Sequence, residues 1–207
     1  MAYRTTPRMA ERKAARRRKL LATATSLFGR HGYHATTVPM IVKKAQSSIG
    51  NFYFYFRNKE DIFAAALAAL GERIAAALNQ AIAAAGPDSY RQMKAAVHAL
   101  VAFLAQNPAE ARILIVESSG LGGRLEQVRR SVISSHARSV ERAIAGLGTS
   151  SAIPRPEVAA RCWVGALYEA VYHWLEQPPG ERLPPERIAD AVVQFNLRGI
   201  GAGSEVL

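Results

Sequence analysis

Apolar residues at Phe63, Leu67, Leu70, Ile74, Leu78 and Ile82 recur at steps of four and three. That spacing puts all six side chains along one face of an α-helix, whereas a strand would scatter them over both faces. A helix of that reach is about 30 Å long, and its apolar stripe is stable only when other elements cover it. The rest of the chain repeats the pattern in pieces separated by glycine and proline. Leu20, Leu21, Ala24, Leu27 and Phe28 mark a helix from Met9 to about Arg30, with Gly29 and Gly32 at its end. Met93, Val97, Leu100, Val101 and Leu104 mark one over about 88–105, after the break at Gly86-Pro87. Asn107-Pro108 reads as a capped start leading into Arg112–Ser118, and Gly120, Gly122 and Gly123 interrupt the chain again. Helices follow at about 124–146, 156–176 and from Pro184-Pro185 to about Arg198, with a loop over 147–156. The expectation is an all-α fold of about nine helices and no strand. Apolar residues make up 49% of the 207, enough for a sizeable core.

Charge divides the chain sharply. Residues 1–60 hold 13 Lys and Arg against Glu11 and Glu60, a surplus of +11, which is the net charge of the whole protein. The remaining 147 residues balance. A basic module joined to a neutral one points to a polyanionic partner for the first quarter of the chain. Residues 1–8 read as a flexible arm, and the cations from Arg4 to Lys19 as a basic tract able to track a phosphate backbone or reach a minor groove. Cys162 is the single cysteine, so no internal disulfide can form and a reducing compartment is expected. No secretory leader is expected from the basic first twenty residues. The Ala-rich stretch 62–85 carries Glu72, Arg73, Asn79 and Gln80, so no membrane span is expected there. A cytoplasmic protein is therefore expected.

Between Thr37 and Lys59 two short helices meet at a tight turn. Thr37 is placed to cap the first, with Pro39 in its opening turn. Gln46 and Ser47 make the turn. Ser48 caps the second helix, Ile49 to about Phe54, and Asn58 caps the long helix after it. A helix packed across such a pair makes a helix-turn-helix, whose second helix enters the major groove of DNA by its N-terminal residues. Small and polar residues at Ser48, Gly50 and Asn51 suit close approach to base edges. Thr37, Tyr53 and Lys59 are placed to hold phosphates. Phe52 and Phe56 read as core, while Tyr53, Phe54 and Tyr55 cannot all be buried around one turn.

The stretch Ala24–Ala65, including LFGRHGYHATTVPMIVKKAQSSIGNFYFYFRNKEDIF, resembles the N-terminal signature of the TetR family of bacterial regulators. The resemblance rests on Leu27-Phe28, Gly32-Tyr33, Thr36-Thr37-Val38, Ile41, Ala45, Ser48, Gly50, Phe52-Tyr53, Tyr55-Phe56 and Asn58-Lys59-Glu60. It implies a three-helix DNA-binding domain over 1–58 and a helical ligand-binding and dimerisation domain over 59–207. It also implies a homodimer on a palindromic double-stranded operator, and repression relieved by a small-molecule effector. Family roles place Thr37, Tyr53 and Lys59 on phosphates and Ser48, Ile49, Gly50, Asn51 and Phe54 toward the groove. Three positions depart from the family pattern. Gln46 stands where glycine is usual, and costs about 1 kcal/mol if its backbone is left-handed. Ile49 replaces a commonly polar or basic residue, and Phe54 a frequent histidine.

The neutral half shows no metal-ligand spacing and no cofactor motif. Nothing in it pairs a nucleophile with a base, so an enzyme is not expected. His98, His136 and His173 are isolated and read as satisfied or exposed. The effector pocket implied by the resemblance is expected among Met93, Val97, Phe103, Ile113, Glu117, Trp163, Tyr168 and Tyr172, whose apolar character suits a hydrophobic ligand. The last two helices are expected to form the dimer interface, with Gly165, Ala166 and Ala170 allowing close approach. A membrane-surface protein using 8–20 as an amphipathic helix is an alternative, with a weak apolar face; an architectural DNA binder without a ligand is another.

Overall fold

The computed structural model describes residues 7–147 and 155–201. Among them are nine α-helices and no strand. They are α1 (Pro7–His31), α2 (Val38–Lys44), α3 (Ile49–Tyr55), α4 (Lys59–Ala84), α5 (Ser89–Gln106), α6 (Pro108–Arg112), α7 (Gly123–Gly146), α8 (Pro156–Glu176) and α9 (Pro185–Gly199). A single π-helical turn, Ile113–Glu117, continues α6. Residues 1–6 of the expected arm and most of the expected 147–156 loop lie outside the described residues.

The long helix α4 organises the molecule. Its first two-thirds carry Ile62, Phe63, Leu67, Leu70 and Ile74, all buried against α1, α5 and α7. Phe63 meets Phe28 of α1 edge-to-face with ring centroids 4.9 Å apart, and Tyr33 at the same distance. Each buried phenylalanine of this kind contributes roughly 1.5–3 kcal/mol by leaving water. The predicted stripe does not stay buried, however. Leu78 and Ile82 are only half-buried, because the helices around them leave a cavity instead of closing on them. α7 packs on α8, and α9 lies across α5 and α8. The α8–α9 contact includes the buried Asn196, whose amide donates to the Trp163 carbonyl at 3.2 Å.

Three local expectations change. Gly29 lies inside α1, not at its cap; Gly32, with φ +84°, comes just after the helix end. Pro108 does open α6, but Asn107 does not cap it: its amide donates back to the Phe103 carbonyl at 2.7 Å. The segment after Arg112 is the π turn, which needs one more residue per turn than an α-helix and so rotates the side chains beyond it to a different facing. No single helix among the described residues is long and apolar enough to cross a membrane.

Candidate nucleic-acid interface and ligand cavity

Short-range hydrogen bonds set the reading head. Thr37 Oγ1 accepts from the Met40 N–H at 3.4 Å, and the buried Thr36 hydroxyl donates to the Gly32 carbonyl at 2.8 Å. After α2 the Ser47 N–H returns to the Val42 carbonyl and the Gln46 N–H to Lys43. This closure requires a left-handed residue, and Gln46 supplies it at φ +51°. Ser48 Oγ accepts from the Asn51 N–H at 3.1 Å, and the Asn51 amide donates to Ser47 Oγ at 2.7 Å. One Asn51 donor is therefore committed to locking the turn. Its second amide hydrogen and its carbonyl oxygen are left for other contacts.

Helix α3 has two unlike faces. Phe52 and Phe56 are fully buried, as the pattern predicts. Ile49, Tyr53 and Phe54 are 52%, 53% and 62% exposed, and Ser48 and Gly50 lie open beside them. Three large apolar residues in water on a seven-residue helix mark a contact surface. A side chain at Gly50 would meet nothing within 4 Å, so nothing inside the protein demands a glycine there.

The basic tract is not a tail from Pro7 onward. Residues 7–19 form the first half of α1, every one exposed, and the helix becomes buried only at Leu20. Thirteen residues extend about 20 Å at 1.5 Å each. This rod lies beside α3: the Lys13 ammonium is 4.5 Å from the centre of the Phe54 ring and the Arg17 guanidinium 5.2 Å from that of Phe56.

Lys59 opens α4 beside the Asn58 cap, which accepts from the Asp61 N–H at 2.8 Å. Its ammonium donates to the carbonyls of Tyr33 (2.8 Å) and His34 (3.2 Å) and sits 4.4 Å over the Tyr33 ring. Burial lowers its pKa. Two of its three donors thus pin the loop before α2, and the third has no partner among the described residues. Asp61 accepts from the Arg57 N–H (3.1 Å) and from Arg124 (2.8 Å). Burial pushes its carboxyl upward, but these bonds and the nearby charges outweigh that and hold it below its ordinary value.

Further contacts fasten the head to α6 and the π turn. The Tyr33 N–H donates to Glu117 Oε2 at 2.9 Å, and Arg112 pairs with the other carboxylate oxygen at 3.5 Å. Gly29 rests directly on α6, where a Cβ would fall 2.4 Å from the Ala109 carbonyl oxygen.

A cavity of about 880 Å³ lies between α4, α5, α7 and α8. Leu78, Ile82, Met93, Val97, Leu100, Trp163, Val164 and Leu167 supply its apolar wall, with Asn79, Arg138 and Arg142 at its rim. Of the eight residues expected at an effector pocket, Met93, Val97, Trp163 and Tyr168 line this space. The other four do not. Ile113 is sealed in the core, and Phe103 lies under the Arg73 guanidinium. Glu117 is turned to the head by the π turn, and Tyr172 is on the surface at 39% exposure.

Residues 20–66 match the family described as bacterial regulatory proteins, tetR family. These residues form a DNA-binding domain of the TetR family. The protein is a DNA-binding transcriptional regulator. Over 45 residues, 22% of this chain and 24% of the relative, it is 49% identical to the regulator QacR of Staphylococcus aureus. The HTH-type regulator YhgD of Bacillus subtilis is 25% identical over 197 residues, covering 90% of this chain and 97% of that one. Among solved structures, the regulator FadR of Bacillus subtilis in complex with stearoyl-CoA shares the fold, with a TM-score of 0.77 and 19% identity over 88% of this chain and 98% of that one.

Within this TetR-family frame, two features escape the sequence reading. The first is the Gly29–Ala109 contact. A glycine inside a helix costs about 1 kcal/mol against alanine, which was a usable signal for a packing constraint. The second is His136, which is neither satisfied nor exposed. It is 6% exposed in the cavity wall, with Nδ1 2.9 Å from the Tyr168 hydroxyl and Nε2 without a partner among the described residues. Burial lowers its pKa to about 4 and raises that of Tyr168, whose rise the Arg129 charge opposes. No spacing along the chain links positions 136 and 168, so only the fold shows the pair.

Proposed function

We propose that this regulator is a repressor that binds a palindromic operator as a homodimer and is released when a small hydrophobic ligand enters the α4–α5–α7–α8 cavity. The observation that carries the reading is the placement of α4. One continuous 26-residue helix carries Lys59 at the reading head and Leu78 and Ile82 in the cavity wall. At 1.5 Å per residue it spans about 39 Å. A ligand that shifts the far end therefore moves the head. Two heads must sit one DNA turn apart, about 34–36 Å, so a change of a few Å costs contacts. The division at residue 58, at the start of α4, separates the DNA-reading unit from the regulatory one. A related fold that holds stearoyl-CoA supports a largely apolar ligand. The cytoplasm, where operator DNA lies, is the site of action.

On DNA, α3 presents Ser48, Ile49, Gly50, Asn51 and Phe54 to the groove, Ile49 and Phe54 being suited to thymine methyl groups. Thr37, Tyr53 and the free donor of Lys59 hold phosphates. Selection of bound sequences from a random duplex pool at physiological salt tests the reading. An enriched palindrome is expected, and no enrichment would sink it. On the selected site Tyr53→Phe is expected to weaken binding about tenfold, the worth of one hydrogen bond to a charged group, with no change in thermal unfolding. Fluorescence anisotropy measures it. The exposed α1 rod adds backbone contacts. Arg12→Ala with Arg16→Ala is expected to flatten the slope of log affinity against log salt by about one for every phosphate the dimer no longer neutralises. An unchanged slope would assign these arginines to solvent alone.

A further inference from the structure

Phe54 is the most exposed of the large apolar side chains on α3, at 62%, yet two groups hold its ring. The adjacent Tyr55, half-buried against the core, meets it edge-to-face with centroids 4.9 Å apart. The Lys13 ammonium of α1 stands 4.5 Å from its centre. That is well inside the range of about 6 Å over which a cation is drawn to a ring face. The other cation–ring pair of the rod is a contrast. Arg17 lies 5.2 Å from the Phe56 ring, but Phe56 is sealed in the core and packing already fixes it. Phe54 has water around most of its surface, and an exposed side chain turns readily among its rotamers. Lys13 is the contact that ties this ring to a second helix. α1 can bear the load, because it is anchored in the core from Leu20, about 10 Å further along the helix.

We propose that Lys13 is a positioning residue for base reading. Its ammonium holds the Phe54 ring in the orientation that enters the groove, so discrimination at the base pair Phe54 meets depends on a residue of α1 that need not touch that base pair. This rests on α3 being the groove-facing helix. An ammonium over a ring keeps hydrogens on its far side for water or a phosphate, so contact with the ring and contact with the DNA backbone are compatible. The two differ in what they change. A phosphate contact raises affinity for every duplex alike and carries no sequence information. A contact that fixes a base-reading side chain changes the discrimination between duplexes. Holding the ring before DNA arrives also removes the cost of ordering it on binding, which is the gain of preorganisation.

The test measures affinity, by fluorescence anisotropy, for the selected operator and for duplexes that each carry one base-pair change in one half-site. Phe54→Ala marks the base pair that Phe54 reads, as the position whose preference collapses. Lys13→Met keeps an unbranched stem without the charge. It is expected to lower the preference at that same base pair about two- to fivefold, the worth of an exposed cation–π contact, and to leave preferences elsewhere unchanged. Lys13→Arg, which keeps a cation over the ring, is expected to restore most of the preference. In a Phe54→Ala background Lys13→Met is expected to shift no preference, since the ring it acts through is gone. Both positions are exposed, so the unfolding midpoints should stay at the parent's. If Lys13→Met weakens every duplex equally and only flattens the salt dependence, Lys13 is a phosphate ligand alone and the proposal is overturned. If Phe54→Ala changes no preference, the groove-facing reading fails at Phe54 and the inference falls with it.

Discussion

Gly29→Ala is expected to destabilise the protein by about 3 kcal/mol or more, at the upper end of what overpacking costs. Two effects oppose each other. Alanine is the better helix former, by about 1 kcal/mol in a helix interior. Against this, its methyl would lie 2.4–2.5 Å from the backbone and Cβ of Ala109. Backbone cannot swing aside as a flexible side chain does, so α1 and α6 must separate. Separation also loosens the neighbouring bond from the Tyr33 N–H to Glu117. The variant should show a lower midpoint in urea unfolding, and ligand-free protein should lose operator affinity even where it is still folded. Gly50→Ala is the contrast, since open space surrounds that position. It should leave unfolding within about 0.5 kcal/mol of the parent, as surface substitutions do, and weaken DNA binding only. A Gly29→Ala protein as stable as the parent would mean that α1 and α6 are not in contact in solution.

Much of this architecture is legible along the chain because it is local. Thr37, Ser48 and Asn58 each cap the next helix, and each signal lies within three residues of the N–H it satisfies. The left-handed turn residue is equally local, and its departure from glycine could be read before its φ was known. Features that depend on distant partners were not legible. Glu117 has the chemistry of a pocket residue, but one π turn directs it to Tyr33, 84 positions earlier in the chain. Lys59 has the chemistry of a phosphate ligand, yet the carbonyls that take two of its donors come from a loop 26 and 25 positions away. The stripe on α4 shows the distinction most clearly. Its period dictates the helix, while whether Leu78 and Ile82 meet side chains or empty space is decided by α5, α7 and α8.

Phe195→Glu is expected to split the proposed dimer and lower operator affinity by roughly 10²–10⁴, the range gained when a second binding module is tethered. Phe195 is 69% exposed on α9, beside a shallow depression lined by Ala166, Ala170 and Val192. Tyr172 and Val158 extend the exposed apolar surface along α8. Burying a phenylalanine contributes roughly 1.5–3 kcal/mol, and a two-fold axis counts every such contact twice. In the proposed dimer the small side chains of α8 would let a partner helix come close, with the partner's Phe195 seated in the depression they leave. Glutamate removes the contact from both subunits and leaves two carboxylates to be desolvated near one another. Because the side chain is mostly in water within one protomer, folding should change by no more than about 0.5 kcal/mol. Sedimentation equilibrium should therefore show a monomer with an unaltered unfolding midpoint. Each monomer keeps its reading head, so weak binding to a half-site should survive with roughly half the salt dependence. A dimer that persists in Phe195→Glu would place the two-fold axis elsewhere on the regulatory domain, and the spacing of the two heads would then have to be derived from that other face.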